Sequence, residues 1–125
     1  MNPPAMAGWN LALRLGLEIA ALVGLAAAAW SLISGPLRWL VVVAVPVAAA
    51  ACWGVFNVLD DPSRSGEAPV EVPGWLRLAL EILILGGGAA GFAVAGRPGV
   101  GLVFAVLIVI QYATSWSRVE WLLQA

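Results

Sequence analysis

The chain has 125 residues, of which 62% are hydrophobic and only 10% are charged. Soluble domains carry about a quarter charged residues, so this composition, with a mean hydropathy of +0.98, excludes an ordinary soluble domain and predicts an integral membrane protein. The net charge of −1 leaves no basic surface for a nucleic acid, and we expect none as a partner.

Residue types that carry common chemistry are missing from the sequence. There is no histidine, which excludes histidine-ligated haem, the usual zinc sites and a histidine general base. Cys52 is the one cysteine, so no internal disulfide can form. The sequence also lacks the nucleophile-elbow and P-loop motifs. We therefore expect no metal and no cofactor, and an enzyme is the least favoured class.

Four apolar stretches are long enough to cross the hydrocarbon, which takes about 20 residues. They cover residues 9–33, 37–58, 75–95 and 98–123. The residues Ser34-Gly35-Pro36 and Gly96-Arg97-Pro98 interrupt the pattern as tight turns. The seven tryptophans lie towards the ends of the stretches, where the membrane interface favours them. The sequence predicts an all-α, four-helix membrane bundle made of two helical hairpins.

The two hairpins resemble each other in sequence. Residues 13–19 match residues 76–82 at an offset of 63, including an Arg and a Glu at the same spacing. Both copies would run in the same direction, as in a parallel repeat. We expect a single membrane domain over 1–125, with repeat 1 at about 9–58, a water-exposed loop at 59–74 and repeat 2 at about 75–123.

Small residues at four-residue spacing mark a close approach of helices. They occur in the first stretch and again in the third: Ala20, Gly24, Ala28, Gly87, Gly91 and Ala95. The pattern predicts that the first and third helices cross at the centre of the bundle.

Two arginine–glutamate pairs lie inside the apolar stretches and are the main candidates for a site. Arg14 and Glu18 share one helix face, as do Arg77 and Glu81. Buried charges in a membrane are costly and often functional. Each pair can also be structural, either within its own helix or crosswise, with Arg14 on Glu81 and Arg77 on Glu18.

Further polar residues are predicted at the same membrane level, beneath the loop. The ligand-binding candidates there are Trp53, Asn57, Gln111, Tyr112 and Arg118. The loop adds the motif residues Asp60, Asp61, Ser63 and Arg64. A pocket among these groups would suit a small polar ligand, a lipid headgroup or a cation.

Arginines are more numerous on the side of the termini and the long loop, with four there against two at the short turns. The positive-inside rule then places both termini and the 59–74 loop in the cytoplasm. The expected partners are the lipid bilayer and either further copies of the chain or another membrane protein.

The loop sequence and several helix motifs resemble the YrdB family. The motifs are Asn10-Leu11-Ala12-Leu13-Arg14, Trp53-Gly54-Val55-Phe56, Asp60-Asp61-Pro62-Ser63-Arg64-Ser65-Gly66 and Trp121-Leu122-Leu123. The resemblance implies a small four-span bacterial membrane protein of unknown function. Where relatives have a histidine and an aspartate in helix 4, this chain has Gln111 and Ser117.

Two functional hypotheses follow. The first is an oligomeric binding or transport protein, in which Glu18 and Glu81 are the titrating or cation-binding groups and the arginines tune them. The second is an accessory subunit that docks on a larger membrane protein through the 59–74 loop and helix 4.

Overall fold

The computed structural model describes residues 2–125 and is all-α, as predicted. The helices are α1 (Gly8–Leu32), α2 (Leu37–Val55), α3 (Gly74–Val94), α4 (Pro98–Thr114) and α5 (Trp116–Gln124). Two short strands, β1 (Phe56–Asn57) and β2 (Val70–Glu71), lie in the connection between α2 and α3.

The centre of the fold is the contact between α1 and α3, which confirms the predicted crossing of these helices. A side chain at Gly24 would overlap the carbonyl group of Gly88, and one at Gly91 would overlap the carbonyl of Gly24. A side chain at Gly88 would in turn collide with Ala21. Glycine at these positions lets the two backbones touch, which is the usual basis of close helix packing in membranes.

Tight turns join α1 to α2 and α3 to α4. Gly35 and Gly96 have φ angles of 77° and 83°, a region that glycine enters without steric cost. After α1, Arg38 donates a hydrogen bond to the carbonyl of Ile33 at 2.7 Å and lies over the ring of Trp30. The two helical hairpins expected from the sequence are therefore present.

The long connection is folded back on itself. Strands β1 and β2 pair in parallel, with Phe56 opposite Val70. Between them the amide of Asp60 donates to the carbonyl of Gly66 at 2.9 Å, and both residues have positive φ. The sequence predicts a water-exposed loop here, but Asp61 turns its side chain inward and is only 2% exposed.

A single helix over 98–123 was also expected, and this is wrong. The chain bends by 71° between α4 and α5. At the bend, Ser115 Oγ donates to the carbonyl of Gln111 at 2.7 Å, and Thr114 Oγ1 donates to that of Ile110 at 2.7 Å. Hydroxyl side chains that bond to the preceding turn compete with the helical ladder and bend helices.

The bend allows α5 to pack across the start of α3. The amide of Gly74 donates to the carbonyl of Ala125 at 3.3 Å, and a side chain at Gly74 would overlap the backbone of Leu122. Leu122 itself is fully buried, beside Val58 and Trp121. The last helix therefore closes the structure over the beginning of the third.

Three helices, α1, α2 and α3, are each long and apolar enough to cross a membrane, and α4 with α5 would supply a fourth crossing as a bent pair. These properties are compatible with a multi-pass membrane protein. The outer surface of α2 fits this environment, since Leu37, Leu40, Val43 and Val47 are all more than half exposed. The internal repeat stays a prediction.

We predict that Gly24→Ala lowers the free energy of unfolding by about 1–3 kcal/mol, the range for overpacked sites, because the new methyl group meets backbone that cannot move aside. The measurement is unfolding in mixed detergent micelles. Gly86→Ala is the matched control: it lies in α3 with nothing within 4 Å of the new methyl group. That variant should be neutral or gain up to about 1 kcal/mol from helix propensity. Equal effects of the two variants would contradict the packing described for α1 and α3.

Candidate functional site

Glu81 of α3 is the hub of a buried charged cluster. Its carboxylate lies 2.8 Å from Arg77 Nε, 2.7 Å from Arg118 Nη2 and 2.7 Å from Arg14 Nη2. The hydroxyl of Tyr112 donates a fourth contact at 2.8 Å. Glu81, Arg77 and Arg118 are fully buried, and Arg14 is 2% exposed. One carboxylate therefore neutralises part of the charge of three guanidinium groups.

The cluster forms because of the helix packing around it. Arg77 and Glu81 are one turn apart, so they share a face of α3. The close approach of α1 brings Arg14 to that face. Arg118 reaches it from α5, since the bend after α4 turns α5 back across the start of α3.

Asp61 supplies the second buried carboxylate from the loop. It accepts two hydrogen bonds from Arg118, at 2.8 Å from Nε and 2.7 Å from Nη2. The amide and hydroxyl of Ser63 also donate to it, both at 2.9 Å. Burial alone raises the pKa of Asp61, but the hydrogen bonds and charge of Arg118 outweigh burial and hold the pKa below its usual value.

Trp53 at the end of α2 lies between two of the arginines. Its ring centre is 5.5 Å from the Arg14 guanidinium carbon and 5.0 Å from that of Arg77. Arg77 Nη1 also donates to the carbonyls of Trp53 and Phe56, at 2.7 and 2.8 Å. These bonds satisfy carbonyls that the end of α2 leaves open, and a positive charge is favourable there.

Glu18 and Arg64 lie at the edge of the cluster and are held loosely. Glu18 Oε1 is 3.5 Å from both Arg14 Nε and Arg64 Nη1, and the two side chains are 18% and 27% exposed. They line a groove of about 290 Å³ between α1 and the loop, together with Arg14, Ser63 and the apolar side chains of Leu11, Leu15 and Pro62.

The buried guanidinium of Arg14 has unused hydrogen-bonding capacity. Among residues 2–125, no protein group accepts a well-formed hydrogen bond from its Nε, Nη1 or Nη2. Its contact with Glu81 is a close charge pair without suitable hydrogen-bond angles. A buried guanidinium with open donors is costly unless a further group satisfies it.

The remaining candidates from the sequence lie outside the charged cluster. Gln111 donates to Asn10 at 3.0 Å and to Ser115 at 3.3 Å, forming a separate polar network between α1 and the α4–α5 bend. Asn57 donates to the carbonyl of Gly54 at 2.7 Å and stabilises the end of α2. Asp60 is exposed at the mouth of another cavity.

Sequence reasoning did not select Asn10 as a site residue, although it is 2% exposed and also donates to Thr114 at 2.7 Å. Asn10 is the one side-chain amide in the first apolar stretch, and this position could have identified it as a candidate.

Of the two structural pairings left open by the sequence, the pairing within each helix is complete and the crosswise pairing occurs in part. The pairs within a helix are both present, at 2.8 Å in α3 and at a looser 3.5 Å in α1. Of the two crosswise pairs, Arg14 contacts Glu81, whereas Glu18 contacts Arg64 of the loop in place of Arg77. The two glutamates therefore have different environments despite their matching sequence contexts.

The fold and this cluster define an all-α protein with helices able to span a membrane and a polar site near one end of them. Residues 12–109 match the model of a family described as "Protein of unknown function (DUF2568)", and the chain belongs to that family. It is similar to "Uncharacterized protein YrdB" of Bacillus subtilis (strain 168), with 40% identity over 114 residues, covering 91% of this chain and 93% of the relative. The predicted family is thus confirmed. No solved structure matches the chain.

We predict that Glu81→Gln lowers the free energy of unfolding by about 3–5 kcal/mol, the cost of breaking a buried ion pair, because three arginines lose their shared counter-charge. Glu18→Gln should cost less than about 1 kcal/mol, since its contacts are long and partly exposed. Detergent unfolding of the two variants measures the difference.

Glu120→Gln serves as the control for these variants, because the Glu120 side chain is exposed and accepts a hydrogen bond from the exposed indole of Trp116. The free energy of unfolding of this variant should equal that of the unaltered protein. Equal losses for Glu18→Gln and Glu81→Gln would contradict the hub role of Glu81.

The lowered pKa of Asp61 predicts a dependence of stability on pH. The ionised carboxylate stabilises the folded state, so its contribution is complete above the unfolded pKa of about 4. The contribution falls as the pH drops below that value and is lost once the pH passes the lower folded pKa. Asp61→Asn should therefore be less stable than the unaltered protein at neutral pH, and the two stabilities should converge in acid. A constant difference from pH 7 to pH 2 would contradict the assignment.

Proposed function

We propose that this protein is a multi-pass protein of the bacterial cell membrane that binds a small anionic group in the groove between α1 and the loop. The binding residues are Arg14 and Arg64, with Glu18 beside them. Both termini and the loop face the cytoplasm in this proposal, on the strength of the arginine distribution alone.

The observation that carries the proposal is the buried Arg14. Arg14 is among the residues that line the groove, and the three nitrogens of its buried guanidinium donate no well-formed hydrogen bond to the described residues. Guanidinium groups bind phosphate and carboxylate through paired hydrogen bonds, and such charge-assisted bonds are about twice as strong as neutral ones. A bound anion would supply the acceptors that Arg14 lacks.

The balance of charge in the cluster supports an anion over a cation. Arg14, Arg64, Arg77 and Arg118 carry four positive charges, whereas Glu18, Asp61 and Glu81 carry three negative charges. One positive charge is therefore left without a counter-charge in a largely buried place. The phosphate or carboxylate of a ligand would be attracted to this excess positive charge.

The environment of Glu81 disfavours its predicted role as a cation-binding group. Its oxygens already accept from Arg77, Arg118 and Tyr112 and contact Arg14. A cation there would have to displace guanidinium groups. Glu18 is the carboxylate that stays accessible, and it faces two arginines. The groove thus suits a phosphate or carboxylate group, with Glu18 available for a second interaction.

Native mass spectrometry of the protein released from nanodiscs tests this proposal. We expect a retained phosphate-bearing molecule whose occupancy falls at least about tenfold in Arg64→Gln, the loss expected for a charge-assisted contact. Arg97→Gln is the matched control, since Arg97 is exposed at the turn between α3 and α4, far along α3 from the groove. The same spectra give the protomer number and so test the expected homo-oligomer.

Two results would contradict the proposal: a protein that carries no such molecule, or an Arg64→Gln variant that retains it fully. Either would favour the alternative function, an accessory subunit that docks on a larger membrane protein. Its docking surface would be the 59–74 loop and the fourth apolar stretch, which forms α4 and α5. An open cleft of about 600 Å³ between the loop and α5, lined in part by Asp60, Glu71 and Trp121, is the feature that favours this alternative.

A further inference from the structure

A second cavity adjoins the groove on the side of the apolar surface. It has a volume of about 220 Å³ and lies between α1, α2 and α3. It shares Leu15, Glu18 and Arg64 with the polar groove, so Glu18 and Arg64 stand where the two spaces meet.

The walls of the second cavity become apolar with distance from Glu18. Leu22 lies one helical turn further along α1, about 6 Å deeper at 1.5 Å per residue. Ala50 of α2 and Ile84 of α3 form the facing walls. Nearby outer residues Leu15 and Ile19 are 57% and 56% exposed, as expected of positions that face hydrocarbon. The cavity is therefore an apolar cleft that opens from a polar groove.

A polar groove that continues into an apolar cleft matches the shape of one phospholipid. We propose that the ligand of the site in α1 and the loop is an amine-bearing phospholipid, with its phosphate on Arg14 and Arg64, its ammonium on Glu18 and one acyl chain in the cleft towards Leu22 and Ala50. This inference rests on the proposed function and specifies its ligand class.

The Glu18 carboxylate is the reason for proposing a headgroup that carries an amine. A purely anionic headgroup would meet repulsion from the Glu18 carboxylate, which lies between the two arginines at 3.5 Å from each. A zwitterionic headgroup would satisfy the three charged side chains together, since its ammonium pairs with the carboxylate while its phosphate pairs with the guanidinium groups. The groove is also small, at the lower limit of the usual size of ligand pockets, which suits a compact headgroup.

The first experiment uses nanodiscs of equal parts phosphatidylethanolamine and phosphatidylglycerol, followed by native mass spectrometry. We expect the unaltered protein to retain phosphatidylethanolamine about tenfold over phosphatidylglycerol, the ratio for one additional charge-assisted contact. Glu18→Gln should lose this preference while still retaining lipid, because Arg14 and Arg64 are unchanged and phosphatidylglycerol no longer meets the carboxylate.

The possible results separate the inference from the proposed function. Retention of both lipids in equal amounts, with loss in Arg64→Gln, would overturn the amine assignment and leave the anion site in place. A preference for phosphatidylethanolamine that persists in the Glu18→Gln variant would also overturn the amine assignment. Absence of any retained phosphate-bearing molecule would overturn both proposals.

A second experiment tests the acyl chain and distinguishes a lipid from a soluble ligand. Ala50→Trp fills the cleft, whereas Ala48→Trp adds the same side chain to an exposed position of α2 that does not line it. We expect Ala50→Trp alone to lose phosphatidylethanolamine by about tenfold while both variants bind soluble phosphoethanolamine equally. Full lipid retention in Ala50→Trp, or soluble phosphoethanolamine bound as tightly as the lipid, would overturn the lipid assignment.

Discussion

The cluster around Glu81 is the interaction on which the rest of the structure depends. A lone carboxylate or guanidinium in a membrane helix carries a large desolvation cost, and the cost is reduced only when opposite charges and hydrogen bonds are supplied together. Here the charged groups come from four parts of the chain: α1, α3, α5 and the loop. The positions of these elements are therefore coupled, since moving any one of them leaves a charge in the interior without its partner.

Much of the architecture could be predicted from the sequence, because helix length, turn residues and small-residue spacing are local signals. The helical hairpins and the contact of α1 with α3 follow from Gly35, Gly96 and the glycines of α3. The bend at Ser115 could not be predicted in this way. Its hydroxyl bond is local, but whether a serine bends a helix depends on what the following turn packs against, and that is a tertiary property.

The sequence predicted which residues form the candidate site, but not which of them lies at its centre. Because their sequence contexts match, Glu18 and Glu81 were predicted to have equivalent roles. In the structure Glu81 is surrounded by guanidinium groups, whereas Glu18 lies at the edge of the cluster with longer contacts. The difference arises from Arg118 and from Asp61, which lie 37 and 20 positions from Glu81 along the chain. Pairings over such separations carry no periodic signal, so one sequence by itself cannot rank the two glutamates.

The packing of α5 across the start of α3 also has a consequence for the order in which the protein is assembled. Translation delivers α1, α2 and α3 before α5, so Arg77 and Arg14 are the first arginines of the cluster that Glu81 can contact. Arg118 and the packing of Leu122 over Gly74 are supplied by α5, after α1 to α4 have been made. Assembly therefore includes a late step in which α5 fastens the loop through Asp61 and completes the charged interior.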